Sequence, residues 1–218
     1  MRSSLFSLLF LLLGLPRASG PMAAQYTGIE SRMIASNVST SKLSPAAARR
    51  VQLAFNSASM SLETIKQSDA GTKAGLVNSV NEAVTLFNGT ANRLNVGEKL
   101  EPADIDRLDY GAADLQVKAD WFKQDQPPDP VVEVTVNTKD KDGKASAGCE
   151  VWYVTAFYNG VADRAVKFDQ LSTPTAQRLM VGAYVMWTER DARRGESRPV
   201  RVGENRVRQM LVDLPSPR

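Results

Sequence analysis

The sequence predicts an α+β protein in which an N-terminal bundle of about three helices precedes a C-terminal antiparallel β-sandwich. Two observations predict this division. Apolar residues recur every three or four positions between residues 44 and 126, as on one face of a helix, and every second position from residue 131, as on one face of a strand. Between the two parts, residues 127–130 are rich in proline and predict a stiff linker, because adjacent prolines cannot continue a helix.

The first 24 residues have the layout of a secretory signal peptide. Arg2 precedes an apolar run from Leu5 to Leu15, and small residues follow up to Ala24, near which we expect cleavage. A membrane span needs about 20 apolar residues. The run from Leu5 to Leu15 is shorter, and no later apolar stretch approaches that length, so we expect no membrane span in the mature chain. The sequence therefore predicts an exported protein, periplasmic or extracellular, and we expect its polar residues 25–43 to be loosely ordered.

Residues 44–126 contain three amphipathic segments. Ser44 and Pro45 predict the start of the first helix, Gly97 the end of the second and Pro102 the start of the third. The predicted seams are Val51, Phe55, Ala58, Leu62 and Ile65 in the first; Val77, Val80, Val84, Phe87, Ala91 and Leu94 in the second; and Ile105, Leu108, Ala112, Leu115, Ala119 and Phe122 in the third. Short connections favour antiparallel neighbours, so the segments predict a three-helix bundle.

Residues 131–218 alternate with a period of two, which predicts several short strands. The residues expected to face inward include Val132, Val134, Val136, Cys149, Val151, Tyr153, Tyr184 and Met186. Trp152 and Trp187 then lie on the outer face of their strands.

The acidic stretch after the first strand is interpreted as a turn. Asp142 is followed by Gly143, and glycine supplies the positive φ that such turns require. The spacing from Asp140 does not fit a calcium loop, because the twelfth residue, Val151, is not a glutamate.

Composition argues against several classes of chemistry. The chain has no histidine and a single cysteine, Cys149, so we expect no histidine-based nucleophile system, no metal or other cofactor, and no internal disulfide. It has 27 Lys and Arg against 24 Asp and Glu. Removal of residues 1–24, which contain two arginines and no acid, leaves a nearly neutral chain, which argues against nucleic-acid binding.

A family resemblance is carried by four segments, VVEVTVNTKDKDGKASAGCEVWYV (131–154), LMVGAYVMW (179–187), RPVRV (198–202) and MLVDL (210–214). Together they resemble the carboxypeptidase regulatory-like or PEGA modules, which share a valine-rich first strand, an Asp-Gly turn, a Leu-x-x-Gly-x-Tyr turn and an apolar last strand. The resemblance implies a prealbumin-like sandwich and a non-catalytic binding or spacer module of exported proteins. Residues 157–171 have no clear counterpart in it, and no family is recognised for the helical half.

Two charged clusters stand out. Arginines crowd residues 190–208, and acids recur along the third predicted helix at Asp104, Asp106, Asp109, Asp114 and Asp120. The favoured interpretation is solvated surface, or docking of the acidic helix on the arginine-rich strands. The functional alternative is an anionic ligand bound at the arginine hairpin.

These observations predict a non-catalytic binding or structural module of the cell envelope, with an envelope protein or a glycan as partner. The candidate ligand or interdomain surface consists of Trp152, Trp187, Arg190, Arg193 and Arg194. Coverage of both tryptophans by the helices is the favoured expectation. The alternative is a carbohydrate-binding platform, because exposed aromatic rings stack on sugars.

A hydrolase that uses carboxylates is the alternative from another class. Its candidate acids are Glu101, Asp104, Asp106 and Asp109. They crowd the start of one helix, where negative charge is favoured by the helix dipole without any catalytic role.

Overall fold

The computed structural model describes residues 32–68, 74–123, 129–170 and 172–217. The predicted signal peptide and the first two residues of the proline linker lie outside these ranges. Within them, three α-helices precede eight β-strands, which confirms the predicted α+β class. None of the described helices combines the length and the apolar character that crossing a membrane requires.

The helices are α1 (Pro45–Lys66), α2 (Ala74–Asn95) and α3 (Pro102–Phe122). The Ser44 hydroxyl accepts a hydrogen bond from the Ala47 N–H at the start of α1, as expected for an N-cap serine. Every predicted seam residue is buried, and Phe55 of α1 meets Phe87 of α2 edge to face with ring centroids 5.0 Å apart. The predicted bundle is therefore confirmed.

Residues 32–43, which were expected to be loosely ordered, are held against α2 by two side-chain amides. Asn88 accepts a hydrogen bond from the Ala35 N–H and donates one to the Met33 carbonyl, both at 2.9 Å. Asn95 likewise accepts from the Ser39 N–H, at 2.9 Å, and donates to the Asn37 carbonyl, at 3.1 Å. The amides satisfy the backbone of a segment that has no regular structure.

The strands form two sheets. They are β1 (Val131–Lys139), β2 (Glu150–Thr155), β3 (Val166–Lys167), β4 (Thr175–Met180), β5 (Gly182–Arg190), β6 (Arg193–Arg194), β7 (Arg198–Val202) and β8 (Gln209–Pro215). One sheet has the order β4-β1-β8; the other has the order β3-β2-β5-β6, with β7 also paired to β5. One pairing departs from the predicted antiparallel pattern, since β1 and β8 are parallel. The chain reaches β8 from β7 of the other sheet, so no hairpin imposes an antiparallel direction.

The predicted alternation of the strands is confirmed. Val132, Val134, Val136, Val151 and Met186 are fully buried in the shared core, and Tyr153 and Tyr184 pack against it. Trp187 belongs to a second cluster on the other face of the β2 and β5 sheet, and Trp152 packs against that cluster.

Helix α3 is buried on two faces, because it lies between the other helices and the β5 sheet. On its sheet side, the Asp114 carboxylate accepts a hydrogen bond of 2.9 Å from the Ala183 N–H of β5 and forms an ion pair with Lys118. Trp121 is fully buried near the end of α3, and a Cβ on Gly203 would lie 3.1 Å from its ring. One continuous core therefore extends from the helices into both sheets.

The two-residue turn between β5 and β6 carries conformational strain. Asp191 and Ala192 both have positive φ, at 50° and 60°, which is the pattern of a type I′ hairpin turn that favours glycine at its second position. We expect Ala192→Gly to raise the free energy of unfolding by about 1 kcal/mol, because a left-handed conformation costs a residue with a Cβ about 1–2 kcal/mol. Urea denaturation measures the change.

The reciprocal substitution provides the control. Gly143 has a φ of 78°, and a Cβ there would meet no atom within 4 Å. Gly143→Ala should therefore lower the free energy of unfolding by a similar amount through the backbone alone. Loss of stability in Ala192→Gly would contradict the assignment of strain to Ala192.

Candidate functional site

The two tryptophans of the sandwich face each other on neighbouring strands. Trp152 of β2 lies directly opposite Trp187 of β5 in the antiparallel register. Their rings are nearly parallel, with an interplanar angle of 9° and centroids 6.4 Å apart. Side chains in this position project from the same face of the sheet and contact each other.

A cation flanks each end of the pair. The Lys167 ammonium of β3 lies 5.6 Å from the centroid of the Trp152 ring, and the Arg194 guanidinium carbon of β6 lies 3.9 Å from that of Trp187. Both distances are within the range of cation–π attraction. Lys167, Trp152, Trp187 and Arg194 thus form a row across four strands, which we name the tryptophan row.

Two acids and a hydroxyl fix the polar parts of the tryptophan row. The Trp187 indole N–H donates to Glu189 over 2.9 Å, Lys167 pairs with Glu150 over 3.2 Å, and Arg194 donates to the Ser197 hydroxyl over 3.0 Å. The indole nitrogen of Trp152 is buried and has no hydrogen-bond partner in the described part of the chain.

The tryptophan row borders an open cleft of about 280 Å³. It is lined by Trp152, Val154, Asn159, Gly160, Val161, Ala165, Trp187, Glu189 and Arg194. Helix α3 packs on the same outer-face cluster through Tyr110 and Ala113, but none of the cleft residues lies in a helix. Opposite the tryptophans, the cleft is lined by Asn159, Gly160, Val161 and Ala165. The favoured expectation that the helices cover both tryptophans stays a prediction.

The structure separates the three arginines proposed as surface residues. Arg194 lines the cleft. Arg190 instead donates to the Ser146 hydroxyl, at 2.9 Å, and to the Cys149 sulfur, at 2.8 Å, so it fixes the loop before β2. Arg193 is exposed on β6 and is not among the cleft residues. The sequence did not reveal Asn159 or Glu189 as cleft residues, nor Lys167 as a member of the tryptophan row.

Three acids of α3, Asp104, Asp106 and Asp109, pair with arginines of the helical bundle. Arg50 of α1 pairs with Asp106, at 2.8 Å, and with Asp109, at 2.5 Å. The hydrogen bond from Arg93 of α2 lowers the pKa of the Asp104 carboxyl below its usual value. From the arginine-rich segment 190–208, the Arg206 guanidinium donates a hydrogen bond of 3.1 Å to the carbonyl of Asp120. Docking of α3 on the sheet therefore depends on its buried face rather than on these surface charges.

The acidic stretch after β1 forms the predicted turn. One oxygen of the Asp140 carboxylate accepts hydrogen bonds from the N–H groups of Asp142 and Lys144, both at 2.9 Å, and Gly143 has the positive φ expected of it. Asp140 thus stabilises the loop by local side-chain bonding. Across the described ranges, no three histidine, cysteine, aspartate or glutamate side chains are placed to hold a metal ion.

Comparison with known proteins adds no assignment. No protein-family model matches the chain, and no curated protein matches it in sequence. The resemblance of residues 131–218 to carboxypeptidase regulatory-like modules stays a prediction.

Proposed function

We propose that this chain is an exported, non-catalytic binding module of the cell envelope and that it binds glycans in the cleft beside the tryptophan row. The observation that carries this proposal is the pair of parallel indole rings at an open cleft, on the sheet face opposite the core. Residues 1–24, with the layout of a signal peptide, support export.

Trp152 is the ring that a sugar reaches first. It is partly exposed, whereas Trp187 is only 4% exposed and supports it from the neighbouring strand. The ammonium of Lys167 lies 5.6 Å from the Trp152 centroid, and the Lys167 side chain is 34% exposed. A cation–π contact at such an exposed site contributes about 0.5–1 kcal/mol. Lys167 and Trp187 flank Trp152 on its two sides, so a sugar in the cleft would pack against the part of the Trp152 ring that lines the cleft.

The polar wall and the size of the cleft suit a single sugar ring. Asn159 lines the cleft, and its side-chain amide has two N–H donors and an acceptor oxygen. The volume of about 280 Å³ is at the lower limit of pockets for drug-sized ligands, about 300 Å³. The cleft therefore favours one terminal or protruding sugar of a longer glycan.

The substitution Trp152→Ala tests the proposal. We expect it to weaken glycan binding about tenfold or more, because loss of an aromatic contact and its buried area removes at least about 1.4 kcal/mol. Isothermal titration calorimetry of the mature protein with polysaccharides extracted from the envelope measures the affinity.

Leu211→Ala serves as the matched control, because Leu211 is a 63% exposed apolar residue of the same sandwich outside the cleft. It should bind glycan as the unchanged protein does. Equal binding by Trp152→Ala and the unchanged protein would refute the cleft as the binding site.

A further inference from the structure

We infer that the cleft binds a neutral sugar through two adjacent hydroxyl groups, one held by Glu189 and one by Arg194, and that it rejects acidic sugars. This inference rests on the proposed glycan-binding function. The inference comes from the charges at the two ends of the tryptophan row. Each end has one cation and one acid, Lys167 with Glu150 and Arg194 with Glu189.

Beside the indole rings, Glu189 offers a hydrogen-bond acceptor and Arg194 offers hydrogen-bond donors. Glu189 of β5 lies directly opposite Arg194 of β6 in the antiparallel register, and both line the cleft. Only one carboxylate oxygen of Glu189 accepts from Trp187, and Arg194 makes one described hydrogen bond, to Ser197. A carboxylate has two acceptor oxygens and a guanidinium has five N–H donors, so both groups retain capacity for a ligand.

The position of Arg194 orders its donors in advance. Its guanidinium carbon lies 3.9 Å from the Trp187 centroid, and its bond to Ser197 fixes one edge of the planar group. Stacking of this kind reduces the rotamer entropy that is lost when the donors engage a ligand. A hydroxyl of a sugar in the cleft would accept from Arg194, and its neighbour would donate to Glu189.

The acids at the tryptophan row disfavour binding of a negatively charged ligand. Glu150 neutralises Lys167 at 3.2 Å, and Glu189 carries a negative charge on the same wall as Arg194. A sugar carboxylate in the cleft would gain Arg194 but would face Glu189. Juxtaposed like charges oppose association, so the charge of Glu189 discriminates against acidic sugars rather than for them.

The experiment compares matched pairs of tetrasaccharides by isothermal titration calorimetry with the mature protein. The neutral members are β-1,4-linked glucose, galactose and mannose, and each is paired with its C6-oxidised uronic acid. For the best neutral ligand, we expect at least tenfold tighter binding than for its acidic partner. Glu189→Gln should weaken neutral binding and reduce the neutral-to-acidic ratio to about one, because the repulsion is removed while the fold of the exposed hairpin is retained.

Glu196→Gln is the control for charge alone, since Glu196 is an exposed acid that follows β6 and lies outside the cleft. It should leave the ratio unchanged. Equal or tighter binding of the acidic tetrasaccharide, with loss of binding in Trp152→Ala, would overturn the neutral-sugar inference and leave the glycan-binding function intact. Absence of binding to every tetrasaccharide, with retained binding of envelope polysaccharide, would also overturn the inference alone. Failure of both ligand sets to bind would overturn the inference and the proposed function together.

Discussion

Replacing Lys118 by methionine is expected to lower the free energy of unfolding by about 3–5 kcal/mol, the range found when one partner of a buried ion pair is removed. The Lys118 and Asp114 side chains are each 1% exposed, at the contact between α3 and β5. Without Lys118, the Asp114 carboxylate would keep its hydrogen bond to the Ala183 N–H but would lose its counter-ion while remaining buried. Urea denaturation followed by circular dichroism measures the loss.

Two variants separate the charge from the packing. In the double variant Asp114→Asn/Lys118→Met, an amide oxygen can still accept from Ala183 and no charge remains, so we expect recovery of most of the lost stability. Lys123→Met removes the partner of Asp120, an ion pair in which both side chains are about half exposed, and should cost less than about 1 kcal/mol. If Lys118→Met is as stable as the unchanged protein, the ion pair does not stabilise the contact.

The sequence predicts the bundle face of α3 but not its sheet face. Ile105, Leu108 and Leu115 repeat at helical spacing and are buried as predicted, because an apolar stripe has no other stable position. Asp114 and Lys118 are types that usually lie at the surface, so their spacing alone indicates a solvated face. Their burial depends on the Ala183 N–H of a strand about seventy residues away, and no local pattern contains that pairing.

The sequence likewise predicts one part of the candidate site and not the other. The outward direction of Trp152 and Trp187 follows from alternation within each strand and is confirmed. Their alignment with Lys167 and Arg194 depends on the register of four strands, which turns and side-chain packing set over long sequence distances. The sequence therefore indicates the aromatic residues and one flanking arginine, whereas the opposite cation and the wall of the cleft come from a segment with no recognised pattern.

Trp121→Ala is expected to lower the free energy of unfolding by about 3–5 kcal/mol, the usual cost of truncating a buried aromatic residue. Trp121 is fully buried, and its ring lies beside Gly203 in the turn before β8, where a Cβ would be 3.1 Å from it. The cavity would open between α3 and that turn. Since one core spans helices and sheets, the helical and strand signals should still be lost together, at a lower urea concentration.

Trp121→Phe is the matched control, because it keeps an aromatic ring at the contact with Gly203 and leaves a smaller cavity. Its loss of stability should be clearly less than that of Trp121→Ala, because the cost rises with the volume of the cavity. Far-ultraviolet circular dichroism follows the helices, and fluorescence of Trp152 and Trp187 follows the sandwich. The contradicting result is two separate transitions in Trp121→Ala, in which the sandwich unfolds at the same urea concentration as in the unchanged protein. It would show that the two halves are stable independently and that Trp121 does not join their cores.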